Sequence, residues 1–382
     1  MNRTKLKQFF KQETVLCVAA VLAVLSAFAV PPDAGYLAYI DLRTLAILFS
    51  LMTVMAGLRR QGVFDAMGRA LLAGTKNILQ LVLVLTGLCF FCSMLITNDV
   101  SLLTFVPFTF VVLNSLGGQV RQKLLLPVVC MQTVAANLGS MLTPIGNPQN
   151  LYLYGKSGCT MAQFVALMLP YTLAALVLLV VWALLLCRQQ GGAMPVPAVA
   201  GKTVQPQRRL VLLYAVLFAV CLLAVVRVLP YGAAFAAVLV CTLCMDREAL
   251  RGVDYSLLLT FAAFFVFIGN LGRVPDFSAW LQRMIAGREV PVAVLASQVI
   301  SNVPAALLLS GFTQNTTALI IGTNLGGLGT LIASMASLIS YRQIAREAPQ
   351  EKGHYFKMFT VSNVVFLAAL LALWAVLARG TV

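Results

Sequence analysis

The chain has 382 residues, is 60% hydrophobic and 10% charged, and has a mean hydropathy of +0.93. A soluble domain is nearer ~45–50% apolar and ~25% charged, so this composition describes a polytopic integral membrane protein. At about 20 apolar residues per crossing, the length allows roughly ten spans and no sizeable soluble domain. The formal charge of +15 does not imply nucleic acid, because Lys and Arg in membrane proteins mainly mark orientation.

In chain order, the run "VLCVAAVLAVLSAFAV" follows a basic start and lacks a small-residue cleavage site. It reads as a retained helix at 12–30, inside an N-terminal unit of residues 1–40. A first repeat, 41–187, opens with a span at 42–58. A hairpin at 78–115 has the polar centre "TND", a broken helix covers 121–155, and a closing span covers 163–187. The polar, Gly/Pro-rich stretch "RQQGGAMPVPAVAGKTVQPQRR" at 188–209 is a cytoplasmic linker. Two connecting spans, 210–228 and 231–245, occupy residues 210–253.

The second repeat, 254–382, has a span at 254–271 and a hairpin at 290–314 with the centre "SN". A broken helix at 316–342 and a closing span at 356–378 follow. This gives about nine crossings plus two re-entrant hairpins. With the N-terminus in the cytoplasm, 20 of the 27 Lys and Arg fall on the inner side, and nine crossings then leave the C-terminus outside.

The two broken segments share a sentence. "NLGSMLTPIGNPQNLYLY" from Asn137 and "NLGGLGTLIASMASLISY" from Asn324 align without gaps, pairing Asn137 with Asn324, Gly139 with Gly326, Thr143 with Thr330 and Tyr154 with Tyr341. Upstream, Asp41, Leu58, Arg60 and Phe64 match Asp254, Leu271, Arg273 and Phe277. The first unit starts outside and the second inside, so the expected fold is all-α with two inverted repeats. Each repeat holds a re-entrant hairpin and a broken transmembrane helix. That construction belongs to secondary transporters, with a site near the midplane. The backbone is expected to unwind at 137–147 and 324–329, offering carbonyls to a cation and N–H groups to an anion.

Asp99, at the first hairpin tip, is the only one of twelve acidic residues expected at membrane depth, and His354 is in a loop. An intramembrane carboxylate costs several kcal/mol unless paired, hydrated or protonated, and marks function by default. Three roles stay open for it: ligating sodium with Asn98, Asn137 and loop carbonyls, carrying a proton, or capping the half-helix that follows. Thr97 completes that tip. At the second tip, Ser301 and Asn302 precede Pro304 and suit an anionic oxygen. Asn137 and Asn324 are placed to crosslink tips and loops. Thr143, Asn147, Asn150, Gly139, Gly326 and Thr330 complete the expected site, while Gln149 can face either way. The pairs Cys89/Cys92 and Cys241/Cys244 lie in apolar helical sequence and read as small hydrophobes. An enzyme would need an HExxH, an acid pair at depth or an intramembrane histidine, none of which the sequence shows. No cofactor beyond a coupling ion, sodium or proton, is expected.

The order of these motifs resembles the ion transporter superfamily over about residues 40–380. It comprises the citrate-transporter-like, divalent anion:sodium symporter, arsenite permease and sodium/proton antiporter families. "ANLGSMLTPIGNPQNL" is similar to the "ANIGG-TPIG-PPNL" of the arsenite and citrate-like branches. Thr97-Asn98 and Ser301-Asn302 match the first two positions of the Ser-Asn-Thr tips of the dicarboxylate branch, and Asp99 departs at the third. The resemblance implies an ion-coupled carrier of a small inorganic or organic anion or oxyacid in the cell membrane, surrounded by lipid, and a homodimer. Arsenite or antimonite efflux and sodium/proton exchange are the alternatives. A carboxylate at the tip repels a di- or tricarboxylate unless a proton or cation neutralises it.

Overall fold

The computed structural model describes residues 13–188 and 206–379. The basic tail with Arg3, Lys5, Lys7 and Lys11, and all but the ends of the expected linker, lie outside the described residues.

After α1 (Thr14–Ala29) and the single turn α2 (Tyr36–Tyr39), the first half begins with α3 (Leu42–Arg60) and α4 (Val63–Leu72). The expected hairpin is α5 (Ile78–Ile96) and α6 (Asn98–Ser115), joined by the single residue Thr97. The broken helix is α7 (Gly118–Ser140) and α8 (Pro148–Ser157), followed by α9 (Met161–Arg188). Then come α10 (Arg208–Val225) and α11 (Tyr231–Met245). The second half has α12 (Tyr255–Gly272), α13 (Pro275–Ile285), the hairpin arms α14 (Glu289–Ile300) and α15 (Asn302–Ser310), the broken pair α16 (Thr316–Leu325) and α17 (Met335–Glu347), and α18 (Lys352–Arg379).

Side-chain caps explain several of these starts. Asp41 Oδ1 accepts from the Thr44 N–H at 3.0 Å and Asp254 Oδ1 from the Leu257 N–H at 2.9 Å. Asn77 and Asn315 cap α5 and α16 in the same way, satisfying a donor that the first helical turn otherwise leaves free. Among the described residues six segments are long and apolar enough to cross a bilayer: α3, α5, α9, α10, α12 and α18 with the short turn before it. The helices α1, α11, α14 and α16 are apolar but shorter. The chain is a multi-pass, all-α membrane protein.

Both hairpins fold back on themselves. In the first, Ser101 Oγ donates to the Cys89 carbonyl at 3.2 Å. Gln132 of α7 donates to the Leu85 carbonyl and to Thr109 Oγ1, tying both arms. The core centres on α7, which packs against α5, α6, α9, α17 and α18. From Leu124 to Ser140 every residue but Pro127 is buried.

The breaks fall later than the sequence suggests. Asn137, Leu138 and Gly139 are still helical, and unwinding covers 141–147; Asn324 is also helical, and unwinding covers 326–334. The reason is packing. A Cβ on Gly139 would sit 2.0 Å from the Phe90 carbonyl oxygen and 2.7 Å from Ser93 Oγ. On Gly326 it would sit 2.7 Å from Ser297 Oγ. Both glycines let a hairpin arm approach the backbone; Gly139 does so inside the helix, whereas Gly326 is also the residue at which its helix stops.

Candidate functional site

Each hairpin tip is one residue held at positive φ. Thr97 has φ 71° and ψ 154°, and Ser301 has φ 73° and ψ 153°. A non-glycine residue there costs about 1–3 kcal/mol and persists only where its surroundings fix it. They do. The Asn98 N–H donates to the Gly146 carbonyl at 3.2 Å, and the Asn302 N–H to the Ala333 carbonyl at 2.9 Å. Gly146 and Ala333 occupy equivalent places after Asn137 and Asn324.

Threonines repeat the correspondence. Thr143 Oγ1 donates to the Met94 carbonyl, and Thr330 Oγ1 to the Gln298 carbonyl at 3.1 Å. Gln298 also binds the second loop through the Gly326 and Leu328 carbonyls and the Thr330 N–H. Gly329, at φ 108°, leaves room for it, because a Cβ would lie 2.3 Å from Gln298 Oε1. Thr143 and Thr330 therefore staple loop to hairpin.

Asparagines join the two halves reciprocally. Asn137 Nδ2 donates to Ser337 Oγ at 3.3 Å, while Asn324 Nδ2 donates to Asn150 Oδ1 at 2.7 Å. Ser337 stands to Asn324 as Asn150 stands to Asn137 in sequence. Asn137 Oδ1 also accepts from Asn98 Nδ2 at 3.0 Å and from Ser334 Oγ at 2.9 Å.

At the centre the starts of four helices, α6, α8, α15 and α17, meet around a cavity of about 10 Å³. Asn98, Asp99, Asn147, Gln149, Asn302 and Ser334 line it. That volume is about one water. Helix starts carry partial positive charge and free N–H groups, which offset the lone carboxylate. Asp99 Oδ1, Asn147 Oδ1 and Gln149 Nε2 have no hydrogen-bond partner among the described residues. A buried polar atom without a partner costs about 1–3 kcal/mol, so this centre holds two acceptors and a donor in want of a ligand.

Of the expected sodium trio, Asn98 and Asn137 bond to each other, and Asn98 Oδ1 also accepts from the Asp99 N–H at 2.9 Å. Only Asp99 keeps a free oxygen; Asn147 supplies a second. Asn302 lines the same cavity, and Ser301 Oγ turns to the Ala333 carbonyl at 3.4 Å. Asn150 and Asn324 brace the halves from behind. Gln149, which the sequence leaves able to face either way, lines the centre, as does Ser334; a serine offset from the Asn-Leu-Gly motif carries no signal of its own.

A second cavity, of about 380 Å³, runs from Thr97 and Asp99 past Leu48, Leu51 and Leu257 to Arg59, Arg60 and Gly252. Arg60 is paired with Asp246 at 2.6 Å and with Glu248, and Arg59 donates to the Leu103 carbonyl at 3.4 Å. At the opposite end of α8 the halves are closed. Tyr152 Oη lies 2.9 Å from Ser310 Oγ, and Lys156 Nζ donates to the Ser310 carbonyl. Arg227 lies over the Tyr154 ring at 5.3 Å.

Residues 10–318 match a protein family described as citrate transporter. The inner membrane protein YbiR of Escherichia coli is 32% identical over 316 residues, 80% of each chain. The uncharacterized transporter MJ0456 of Methanocaldococcus jannaschii is 31% identical, over 79% of this chain and 81% of its own. A shorter match, 34% identical over 36% of this chain and 28% of the relative, is to the silicon efflux transporter LSI3 of Oryza sativa.

Proposed function

The chain belongs to the citrate transporter family, and on that premise we propose that it carries a small anion or oxyacid across the cell membrane by alternating access, driven by sodium or protons. The observation that carries this reading is the unpartnered Asp99 Oδ1 beside Asn147 Oδ1, in a cavity where four helix starts meet. Two acceptor oxygens suit a dehydrated cation or a proton on the carboxylate. Gln149 Nε2 and the helix starts suit a substrate oxygen.

The halves are inverted repeats in this reading. Reciprocal contacts, Asn137 with Ser337 and Asn324 with Asn150, are what a two-fold axis between them generates. The large cavity opens beside Arg59 and Arg60, on the side that the distribution of Lys and Arg assigns to the cytoplasm. Tyr152, Lys156 and Ser310 close the other side, so this conformation faces inward.

One observation favours a neutral oxyacid as the second reading for the substrate. Among the described residues no Lys or Arg lines the inner cavity, so only the partial charges of the helix starts stand between Asp99 and a polycarboxylate. The rice relative's name, a silicon efflux transporter, agrees with such a cargo. The test is a thermal-shift panel on purified protein with sodium, protons, citrate, arsenite and silicic acid. A ligand of the folded state at 100 times its Kd adds about 2.7 kcal/mol. Stabilisation by citrate without any cation would remove Asp99 from the coupling role.

A further inference from the structure

Asp41 and Asp254 hold equivalent places in the two halves, and both cap a helix. Their second oxygens differ. Asp41 Oδ2 accepts from Thr44 Oγ1 at 2.6 Å, so both oxygens of that carboxylate are taken. At Asp254 the residue three on is Leu257, which offers its N–H and no hydroxyl. Asp254 Oδ2 has no protein donor among the described residues.

That oxygen belongs to a side chain lining the large cavity, which also reaches Asp99. Asp254 lines a third cavity too, of about 40 Å³, with Glu13, Ser256 and Thr260. Leu257 borders all three cavities, so the residue that Asp254 caps shares with Asp99 and Pro148 the wall between vestibule and centre. The charged groups facing this space are Arg59 and Arg60 on α3, Glu13 ahead of α1, and Asp99 on α6. α15 and α17 present only Val303, Pro304 and Met335 there. Arg60 is spent on Asp246 and Glu248, and Arg59 is turned to a carbonyl of α6. Asp254 is the carboxylate a cation entering the vestibule meets before Asp99.

We propose that Asp254 is a staging residue for the coupling cation, taking it from the vestibule and passing it to Asp99. This rests on the reading of Asp99 as the cation carrier. For a proton, Asp254 Oδ2 accepts it from vestibule water and releases it through cavity water to Asp99 Oδ1, ending as a carboxylate again. For sodium, the ion exchanges one carboxylate for the other with no bond to make or break in the chain. Carboxylates lining a cleft raise local cation concentration and on-rates by about ten- to a thousandfold.

The test is stopped-flow cation uptake by the full chain in nanodiscs. A pH jump is read by a soluble dye and a sodium chloride jump by tryptophan fluorescence. The relevant phase is the component that Asp99→Asn removes. Asp254→Asn keeps the cap, since Asn and Asp are comparable there, and slows that component about tenfold or more while its final amplitude stays. Asp41→Asn leaves it unchanged. Leu257→Thr, which supplies the hydroxyl that Thr44 gives Asp41, slows the component as well and serves if Asp254→Asn does not fold. A component within about twofold of wild type in Asp254→Asn, or in Leu257→Thr where that variant stands in, overturns the staging role alone. If Asp99→Asn removes no component from either jump, the carrier reading fails and the staging role goes with it. The jump that produces the component identifies the ion.

Discussion

The two hairpin tips share a backbone and differ in chemistry. Thr97 and Ser301 adopt the same φ and ψ, and each is followed by an asparagine whose N–H reaches the equivalent loop carbonyl. The next residue is Asp99 in one and Val303 in the other. The arms differ as well: α6 has 18 residues and α15 has 9. Duplicated geometry brings both tips to one small cavity between the halves, and one unduplicated side chain gives that cavity its carboxylate. The caps tell the same story, because Asp41 is saturated by Thr44 while Asp254 keeps an oxygen free. A function built this way is asymmetric although its scaffold is not.

The largest effect is expected where the tips diverge. Asp99→Val makes the first tip read like the second, and Asp99→Asn removes only the titratable charge. Both should abolish the dependence of the thermal midpoint on sodium and weaken its dependence on pH. A wild-type response in Asp99→Asn would remove the residue from cation binding; no capping role would replace it, because Thr97 is the N-cap of α6 and makes no side-chain cap bond. Next come the packing glycines. Gly139→Ala drives a methyl into the Phe90 backbone, whereas Gly326→Ala meets the side chain of Ser297 and the Gly322 carbonyl. We expect a loss of about 3 kcal/mol or more for Gly139→Ala and about 1–2 kcal/mol for Gly326→Ala. Equal losses, measured as unfolding midpoints, would mean that both contacts relax alike.

Much of this comparison is legible in the sequence. The spans read at 42–58, 231–245 and 254–271 correspond to Leu42–Arg60, Tyr231–Met245 and Tyr255–Gly272. Hydrophobic runs between Asp, Pro and Gly leave little choice of boundary there. Asn137 does meet its hairpin tip through Asn98, whereas Asn324 bonds across to Asn150 and to its own helix instead of to the second tip. The two breaks begin later than the motif suggests because glycine has two uses in a membrane helix, and nothing in Asn-Leu-Gly distinguishes a kink from a close approach. The bonds of Gln298 and the open oxygen of Asp254 are hidden in the sequence for a different reason. A glutamine in a short helix and an aspartate at a helix start look ordinary until their partners, distant in sequence, are known. At Asp254 one signal was present: the residue three on is leucine where the other half has threonine.

The reciprocal braces should respond unequally. Asn150→Ala strips a partner from Asn324 at 2.7 Å and from the Ser140 and Thr143 carbonyls. Ser337→Ala removes one bond of 3.3 Å to Asn137, whose oxygen keeps Asn98 and Ser334. Orphaning buried polar groups costs about 1–3 kcal/mol, so Asn150→Ala should lie toward ~3 kcal/mol and Ser337→Ala nearer ~1 kcal/mol. Because these sites share a network, the double variant should not be additive. Additivity in denaturant titrations would show that the two braces act as separate contacts.

The smallest difference concerns the two staples. Thr143 is part of a buried loop and its hydroxyl works twice, donating to the Met94 carbonyl and accepting from the Gly146 N–H at 3.1 Å. Thr330 is exposed and its hydroxyl makes one bond, to the Gln298 carbonyl. Valine keeps the shape of threonine and removes the hydroxyl, so Thr143→Val leaves the Met94 carbonyl unanswered and the Gly146 N–H with only its 3.3 Å bond to the Thr143 carbonyl. Water can serve the exposed carbonyl in Thr330→Val. A net hydrogen bond is worth about 0.5–1.5 kcal/mol. Thr143→Val should therefore cost about 1–2 kcal/mol, and Thr330→Val no more than about 0.5 kcal/mol. Gly146 also receives the Asn98 N–H, so loosening Thr143 loosens the first tip. Amide hydrogen exchange at Asn98 should accelerate in Thr143→Val, while exchange at Asn302 in Thr330→Val stays near wild type. Equal acceleration at both tips would mean that the staples are interchangeable and that the asymmetry of the site ends at Asp99.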